Sequence, residues 1–399
     1  MNNKKTINNI IIDFITNNYN KIFLITVILL SLIIRLYFIP WHSKDYNSFF
    51  KSWFIHFQNN GFSGFKDIYD TANYPSIYMI IICLISFLPD FSIEVLPDLS
   101  IILYVKLISI IADYFIAYMV YKIIKNYTNK EYIALISFAC VLFSPIVVFN
   151  SALWGQMDAI YSSFVILSLY LFYKEKYTKA FLIYGMAFAF KLQSIFIFPF
   201  IILLYIKNRF HFKYFLLIPI PHIISSLIAT IFGANFIKVL TVLGSQSYSN
   251  LSNSAASLPA LIFTGVLFEQ FYKWMFMTFF IILAIILCAI FLHIFIKQNN
   301  KLNIDTFILW ALTISFSMPF ILPSMHERYF YIAEILALIY AFMKPKYAYI
   351  TILLYFSTFS KYLQYLFENS YLSVIPAAAL MLIVFILLIR TLIRENKFE

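Results

Sequence analysis

The sequence predicts an all-α, polytopic membrane protein, a single membrane-embedded domain over residues 1–399 with about twelve transmembrane helices. Three observations carry that expectation. Hydrophobic residues make up 62% of the chain and charged residues 12%, against about 25% charged in soluble domains. Mean hydropathy is +0.85. Apolar runs of about twenty residues, the length that spans a hydrocarbon core of about 30 Å as helix, recur from end to end. The runs are continuous rather than alternating, which excludes a transmembrane β-barrel.

The net charge of +11 is what Lys- and Arg-rich cytoplasmic loops produce, and it calls for membrane lipids rather than nucleic acid as partner. Cys83, Cys140 and Cys288 fall in apolar stretches without metal-ligand spacing and read as small hydrophobes. The 46 Phe and 30 Tyr, beside only 7 Gly, fit an AT-rich coding sequence and a bacterial cytoplasmic membrane. Nothing in the sequence sets an oligomeric state.

Charge parity orders the crossings. Residues 1–21, with Lys4, Lys5 and Lys21, are read as a cytoplasmic N-terminus. The first span, 21–39, then runs outward and is retained, because it lacks a small-residue cleavage site. Residues 40–99 become a large first external loop containing interfacial helices. Inside it the apolar run 76–88 reaches only about 20 Å as helix, and Pro75 suits a helix start. If this run crossed, Asp90, Glu94 and Asp98 would lie inside and Lys122, Lys125 and Lys130 outside, against the rule.

Span 99–121 leads in, 132–149 leads out, and 159–173 returns to Lys174, Lys176 and Lys179. The stretch 180–206 is long for one span and carries Lys191 and Gln193 in its middle. Two short helices meeting near Lys191 keep Lys207, Arg209 and Lys213 inside. Span 214–232 leads out to a Ser- and Asn-rich loop, 244–257, and 258–267 is too short to cross. Spans 274–296, 307–322, 329–342, 347–366 and 372–389 follow, with 390–399 as a cytoplasmic C-terminus carrying Arg390, Arg394 and Lys397. On this reading the polar clusters at 41–53, 73–75, 154–158, 191–193 and 326–328 all emerge on the external face.

These clusters supply the candidate chemistry. Asp45 follows the first membrane exit among Trp41, Tyr46 and Trp53. It is either a general base within reach of an acceptor hydroxyl or an acidic loop residue in an interfacial aromatic belt. Trp154-Gly155-Gln156-Met157-Asp158 is a tight turn between spans, where Asp158 serves sugar hydroxyls or a cation, or is a polar loop tip. Lys191 within an apolar stretch is costly, about 2.5–3.5 kcal/mol on insertion scales, and so suggests a lipid phosphate as partner; the plainer reading is snorkelling. His326-Glu327-Arg328 offers a guanidinium for bidentate phosphate contact and an imidazole of variable charge, or simply pairs with itself. A zinc site lacks a second His or Cys at ligand spacing. Lys106 and Asp113, seven apart on one helix face, read as structural.

In order along the chain, the quoted motifs are Asp45-Tyr46 with Trp53 eight residues after the aspartate, Tyr74-Pro75, Trp154-Gly155-Gln156-Met157-Asp158, Lys191-x-Gln193 and Met325-His326-Glu327-Arg328-Tyr329. With them the chain resembles the GT-C superfamily of glycosyltransferases. Within it the nearest likeness is to bacterial mannosyltransferases related to the second GPI mannosyltransferase, and more distantly to ER glucosyltransferases that use dolichyl-phosphate glucose. The resemblance implies a GT-C type fold and an inverting hexosyltransferase. Its donor is a polyprenyl-phosphate sugar and its acceptor a glycan or glycolipid. It maps the catalytic residue of the family, an acidic residue of the first external loop, onto Asp45, as general base. It puts Trp53, Tyr74, Trp154, Gln156, Asp158, Lys191, Gln193, His326, Glu327 and Arg328 around the substrates. No metal and no obligatory cofactor are expected, because fixed cations meet a singly bridged leaving phosphate. Ser76 stands where relatives often have a second Pro, and the position of Asp158 varies between branches; both bear on which sugar and acceptor are used.

Two other classes share this hydropathy. A lipid-linked glycan polymerase or ligase usually has its largest external loop late in the chain, whereas here it is early. A transporter or flippase needs polar residues through the bilayer to both faces, and paired broken helices in repeats are not evident.

Overall fold

A computed structural model describes residues 7–245, 250–262, 266–297, 302–368 and 372–395, almost all of them helical. The region after α1 (Ile7–Phe38) holds α2 (Lys51–Asn60) and α3 (Ser76–Ile85). Next come α4 (Leu99–Thr128), α5 (Glu131–Leu142), α6 (Pro145–Val148), α7 (Asp158–Tyr173), α8 (Tyr177–Phe190) and α9 (Phe198–Asn208). The chain continues through α10 (Ile220–Ile231), α11 (Phe236–Thr241), α12 (Leu258–Ile262) and α13 (Val266–Lys297). It closes with α14 (Ile304–Ile321), α15 (Tyr331–Met343), α16 (Ala348–Phe367) and α17 (Val374–Glu395). The only sheet among the described residues is a two-residue parallel ladder of β1 (Ser252–Asn253) with β2 (Met325–His326).

Among the described residues, six segments are long and apolar enough to cross a membrane: Ile12–Phe38, Leu99–Thr128, Phe212–Ile231, Tyr272–Lys297, Ile304–Ile321 and Val374–Glu395. Glu131–Leu142 with Pro145–Trp154, bent by 45°, makes a seventh if counted as one span. This is an all-α chain with the make-up of a multi-pass membrane protein, and its long spans are fewer than charge parity expects. Much of the difference lies in α7, α8, α9 and α15, which have 16, 14, 11 and 13 residues. At 1.5 Å per residue they reach only about 16–24 Å.

Both the core and the outer surface are apolar. Every residue of α14 from Phe307 to Ile321 is buried, and α14 packs between α15 and α17 at the centre. The outer helices instead expose large aliphatics, among them Leu29, Ile33 and Leu36 of α1 and Ile281, Ile285 and Ile290 of α13. Such a continuous apolar exterior is what lipid, not water, accommodates.

Several local expectations hold. Pro75, with an extended ψ of 152°, precedes the ten-residue α3, which packs on α2 and α10. The 180–206 stretch breaks at Lys191, whose backbone is extended (φ −158°, ψ 132°) between α8 and a 3-10 turn, Leu192–Ile197. Pro199 then starts α9, its missing N–H falling where no intrahelical partner exists.

The polar loop at 244–257 differs from expectation; its residues 246–249 lie outside those described. Its second half is not a free loop: it pairs with β2, and Ser324 donates from its N to Leu251 O (2.8 Å) and from Oγ to Asn250 O (2.7 Å). Two π-turns, Tyr46–Phe50 and Phe149–Trp154, each adjoin a segment carrying candidate site residues. Such bulges recur at functional sites because they re-aim side chains.

Candidate functional site

The first candidate, Asp45, sits at the entrance to the Tyr46–Phe50 π-turn, seven residues past the end of α1. Ser43 ties this turn down: its Oγ donates to Trp154 O (2.7 Å) and accepts from Tyr46 N (3.1 Å). The Asp45 carboxylate is half-buried and receives donors on both oxygens. Trp154 Nε1 (2.8 Å) and Gln156 Nε2 donate to Oδ2, and Tyr365 OH donates to Oδ1 (2.9 Å). A carboxylate offers about four lone-pair sites. Three donors orient it and leave one position for an incoming hydroxyl.

The indole of Trp154 is a shared wall. Its edge serves Asp45, Tyr365 stacks on it at 4.3 Å between centroids, and the Arg328 guanidinium lies over it at 5.0 Å. Arg328 is 8% exposed, and its contacts with carboxylates are stretched: 3.5 Å from Nη1 to Glu327 Oε1 and 3.9 Å from Nε to Asp158 Oδ2. Its Nε has no hydrogen-bond acceptor. A buried guanidinium with unused donors, over an aromatic face, is arranged for an oxyanion.

Asp158, the first residue of α7 and fully buried, accepts from Lys191 Nζ (2.6 Å) and from Asn150 Nδ2 (3.0 Å). Asn150 also donates to Tyr362 OH (3.2 Å). Lys191 is thus held in a close ion pair rather than snorkelling, and its charge is largely spent on Asp158.

Glu327 is 1% exposed with Oε2 unpartnered. Burial raises its carboxyl to about 7, with Arg328 pulling the other way. Burial, then the charges of Arg328 and Lys191, lowers the His326 imidazole to about 2. The expected variable charge on His326 is therefore replaced by a neutral ring, which packs edge-on against Tyr329.

The remaining candidates border this cluster. Tyr74, half-buried, feels the charges of Arg328, Asp45 and Asp158. Trp53 is 2% exposed and packs its ring against Phe50 and Tyr74, at 5.6 and 5.1 Å; it supports Tyr74 from behind. Gln193, with Oε1 unpartnered, lines a mostly apolar groove of about 300 Å³ together with Phe196, Met277, Ile281, Leu322 and Tyr329. Met277 and Ile281 come from the outward-facing α13, so the groove opens toward the apolar exterior, and Tyr329 adjoins Arg328.

The site is registered by α4. Lys106, Ser109 and Asp113 share one face and hold the Trp154 turn from below: Lys106 Nζ donates to Leu153 O (3.0 Å), Ser109 Oγ to Gln156 O (2.7 Å), and Ser151 Oγ to Asp113 Oδ2 (2.5 Å). Asp113 is itself paired with the fully buried Arg35, Nη2 to Oδ2 at 3.0 Å. Lys106 and Asp113 thus pair with neighbours, and those neighbours include the turn that carries Trp154.

Asn150, Tyr362 and Tyr365 were not among the sequence candidates. Each is one Asn or Tyr in an apolar helix or turn of a chain with 30 Tyr, and only the fold brings Tyr365 to Asp45. No group of three or more His, Cys, Asp or Glu able to hold a metal ion occurs among the described residues. A scan against protein-family models returns no match for the chain, and no curated protein matches it.

Proposed function

We propose that this chain is an integral membrane hexosyltransferase of the GT-C type. It moves a mannose- or glucose-type sugar from a polyprenyl-phosphate donor to a lipid-linked or cell-surface glycan acceptor, with inversion. The observation that carries the reading is the pairing of Asp45 and Arg328 on one indole: an oriented carboxylate with a free lone pair beside a buried guanidinium with spare donors.

The donor's first isoprene units lie in the groove at Gln193, Phe196 and Ile281, which leads its phosphate to Arg328. The acceptor hydroxyl approaches the vacant position on Asp45. As its oxygen bonds to the anomeric carbon, its proton passes to the Asp45 carboxylate. The bond from that carbon to the phosphate oxygen breaks, and the electron pair leaves on the lipid phosphate. Arg328 meets the developing charge with fixed donors in a site shielded from water, where such interactions are strongest. Lys191, committed to Asp158, fixes that carboxylate as part of the sugar-binding wall with Trp154 and Gln156; this moves the phosphate-binding role from Lys191 toward Arg328.

In this reading the short helices α7, α8, α9 and α15, together with α16, bring the seven long spans to about twelve crossings. The site then faces the exterior of a bacterial cytoplasmic membrane.

The test is transfer of radiolabelled hexose from polyprenyl-phosphate hexoses to membrane acceptors, wild type against Asp45→Asn at matched membrane expression. Transfer by the wild type that vanishes in the variant supports both the class and the base. Equal transfer removes Asp45 from its role. A folded wild type inert toward every lipid-phosphate donor overturns the proposal.

A further inference from the structure

Lys106 is fully buried in α4, and its Nζ is surrounded by backbone carbonyls alone. It donates to Trp41 O (2.8 Å), Ile39 O (2.9 Å), Leu153 O (3.0 Å) and Phe38 O (3.4 Å). Buried ammonium groups are normally matched by a carboxylate. The nearest on its own helix face, Asp113, is committed to Arg35. Compensation comes instead from peptide dipoles: Phe38 ends α1 and Ile39 and Trp41 follow it, at the helix end where carbonyls carry partial negative charge, and Leu153 lies in the π-turn that ends at Trp154.

Four carbonyl oxygens facing inward from two separate segments form a cation cage. Backbone carbonyls in this arrangement replace the hydration shell of monovalent ions. Gly155 completes the fit: its φ is +80°, and a Cβ there would meet the Lys106 stem at 3.3 Å.

We propose that Lys106 is a tethered monovalent cation. Its ammonium fills a carbonyl site that binds K⁺ or NH₄⁺ when the side chain is removed, and it thereby locks the Asp45 turn against the Trp154 turn. Lys106 is a positioning residue, and that second clause rests on Asp45 being the base; the cation site does not.

The experiment uses the full chain in detergent. Lys106→Ala is titrated with KCl, NH₄Cl or choline chloride at constant ionic strength, and the thermal midpoint and hexose transfer are read together. The expected result is a lowered midpoint in choline that recovers saturably in K⁺ and NH₄⁺, with transfer rising about tenfold alongside it. The wild type is indifferent to the cation. Lys106→Met, which fills the cage with an uncharged tip, shows no recovery. Recovery equal in choline, or none in any salt, overturns the proposal. If Lys106→Ala does not accumulate, Lys106→Gln keeps amide donors in the cage; transfer by it at the wild-type rate shows that no charge is needed there and equally overturns it. A cation-dependent midpoint without transfer by any form, wild type included, leaves the cation site standing and removes the glycosyl-transfer reading.

Discussion

Tyr365→Phe removes one hydroxyl from the site and isolates what orients the Asp45 carboxylate. The phenol donates to Oδ1 at 2.9 Å. Its ring stacks on Trp154 with planes 22° apart, a contact that phenylalanine keeps. A hydrogen bond to a charged group contributes about 1.5–3 kcal/mol. Asp45 is half-buried, so water replaces part of the loss and the lower end applies. About 1.5 kcal/mol is about a tenfold change in rate. Hexose transfer at saturating donor should therefore fall about tenfold, with the thermal midpoint in detergent unchanged. Trp154→Phe removes the donor on the opposite oxygen, at 2.8 Å, and should cost at least as much, since Arg328 loses its indole. The double variant should fall short of the sum, because groups acting on one carboxylate are coupled. The assay is initial-rate transfer by purified wild type, both single variants and the double variant. A Tyr365→Phe protein working at the wild-type rate would refute the reasoning: holding this carboxylate would then have no bearing on the chemistry.

Three further outcomes are expected. Glu327, held up at about 7 by burial against an ordinary value of about 4.3, binds its proton more tightly in the folded chain. Its contribution is therefore complete below the unfolded value and is lost as pH rises through about 7, by up to about 4 kcal/mol. The thermal midpoint should fall over that window in the wild type and less in Glu327→Gln; parallel curves would exclude the effect. Asp113→Leu strands the fully buried Arg35 at a cost of about 3–5 kcal/mol. Little of that variant should accumulate in membranes, while Arg35→Met/Asp113→Leu recovers most of it; normal accumulation of the single variant would show that the pair does not brace α1. Transfer should survive EDTA, since a guanidinium meets the leaving phosphate. Loss in EDTA with restoration by Mg²⁺ or Mn²⁺ would assign that role to an ion.

Much of this site is legible in the sequence because its charged members are out of place there. A Lys in an apolar stretch is costly enough to stand out, Asp45 stands out as a carboxylate among interfacial aromatics, and Asp45, Trp154, Gln156, Asp158, Lys191, Glu327 and Arg328 do meet. The break at Lys191 is legible for the same reason. What cannot be read is the set of uncharged partners. Tyr365 and Tyr362 are tyrosines in an apolar helix that could equally face lipid, and their roles depend on how α16 is rotated. The β1–β2 ladder joins two dipeptides 73 positions apart, with no strand-like pattern in either. The number of crossings is also hard to count, because helices of 11–16 residues are too short to be separated from re-entrant segments by hydropathy.

Trp154 has a consequence that reaches beyond its individual contacts. The indole is one flat, inflexible plate, with the Asp45 carboxylate hydrogen-bonded to its rim and the Arg328 guanidinium over its broad side. Both contacts refer to a single rigid ring, so the two groups are registered against one common body. Tilting the plate shifts both at once. Under the proposed glycosyl transfer, a change of sugar or lipid would then fall on its surroundings, Tyr74, Gln193 and the groove, with the ring as the common reference for both substrates.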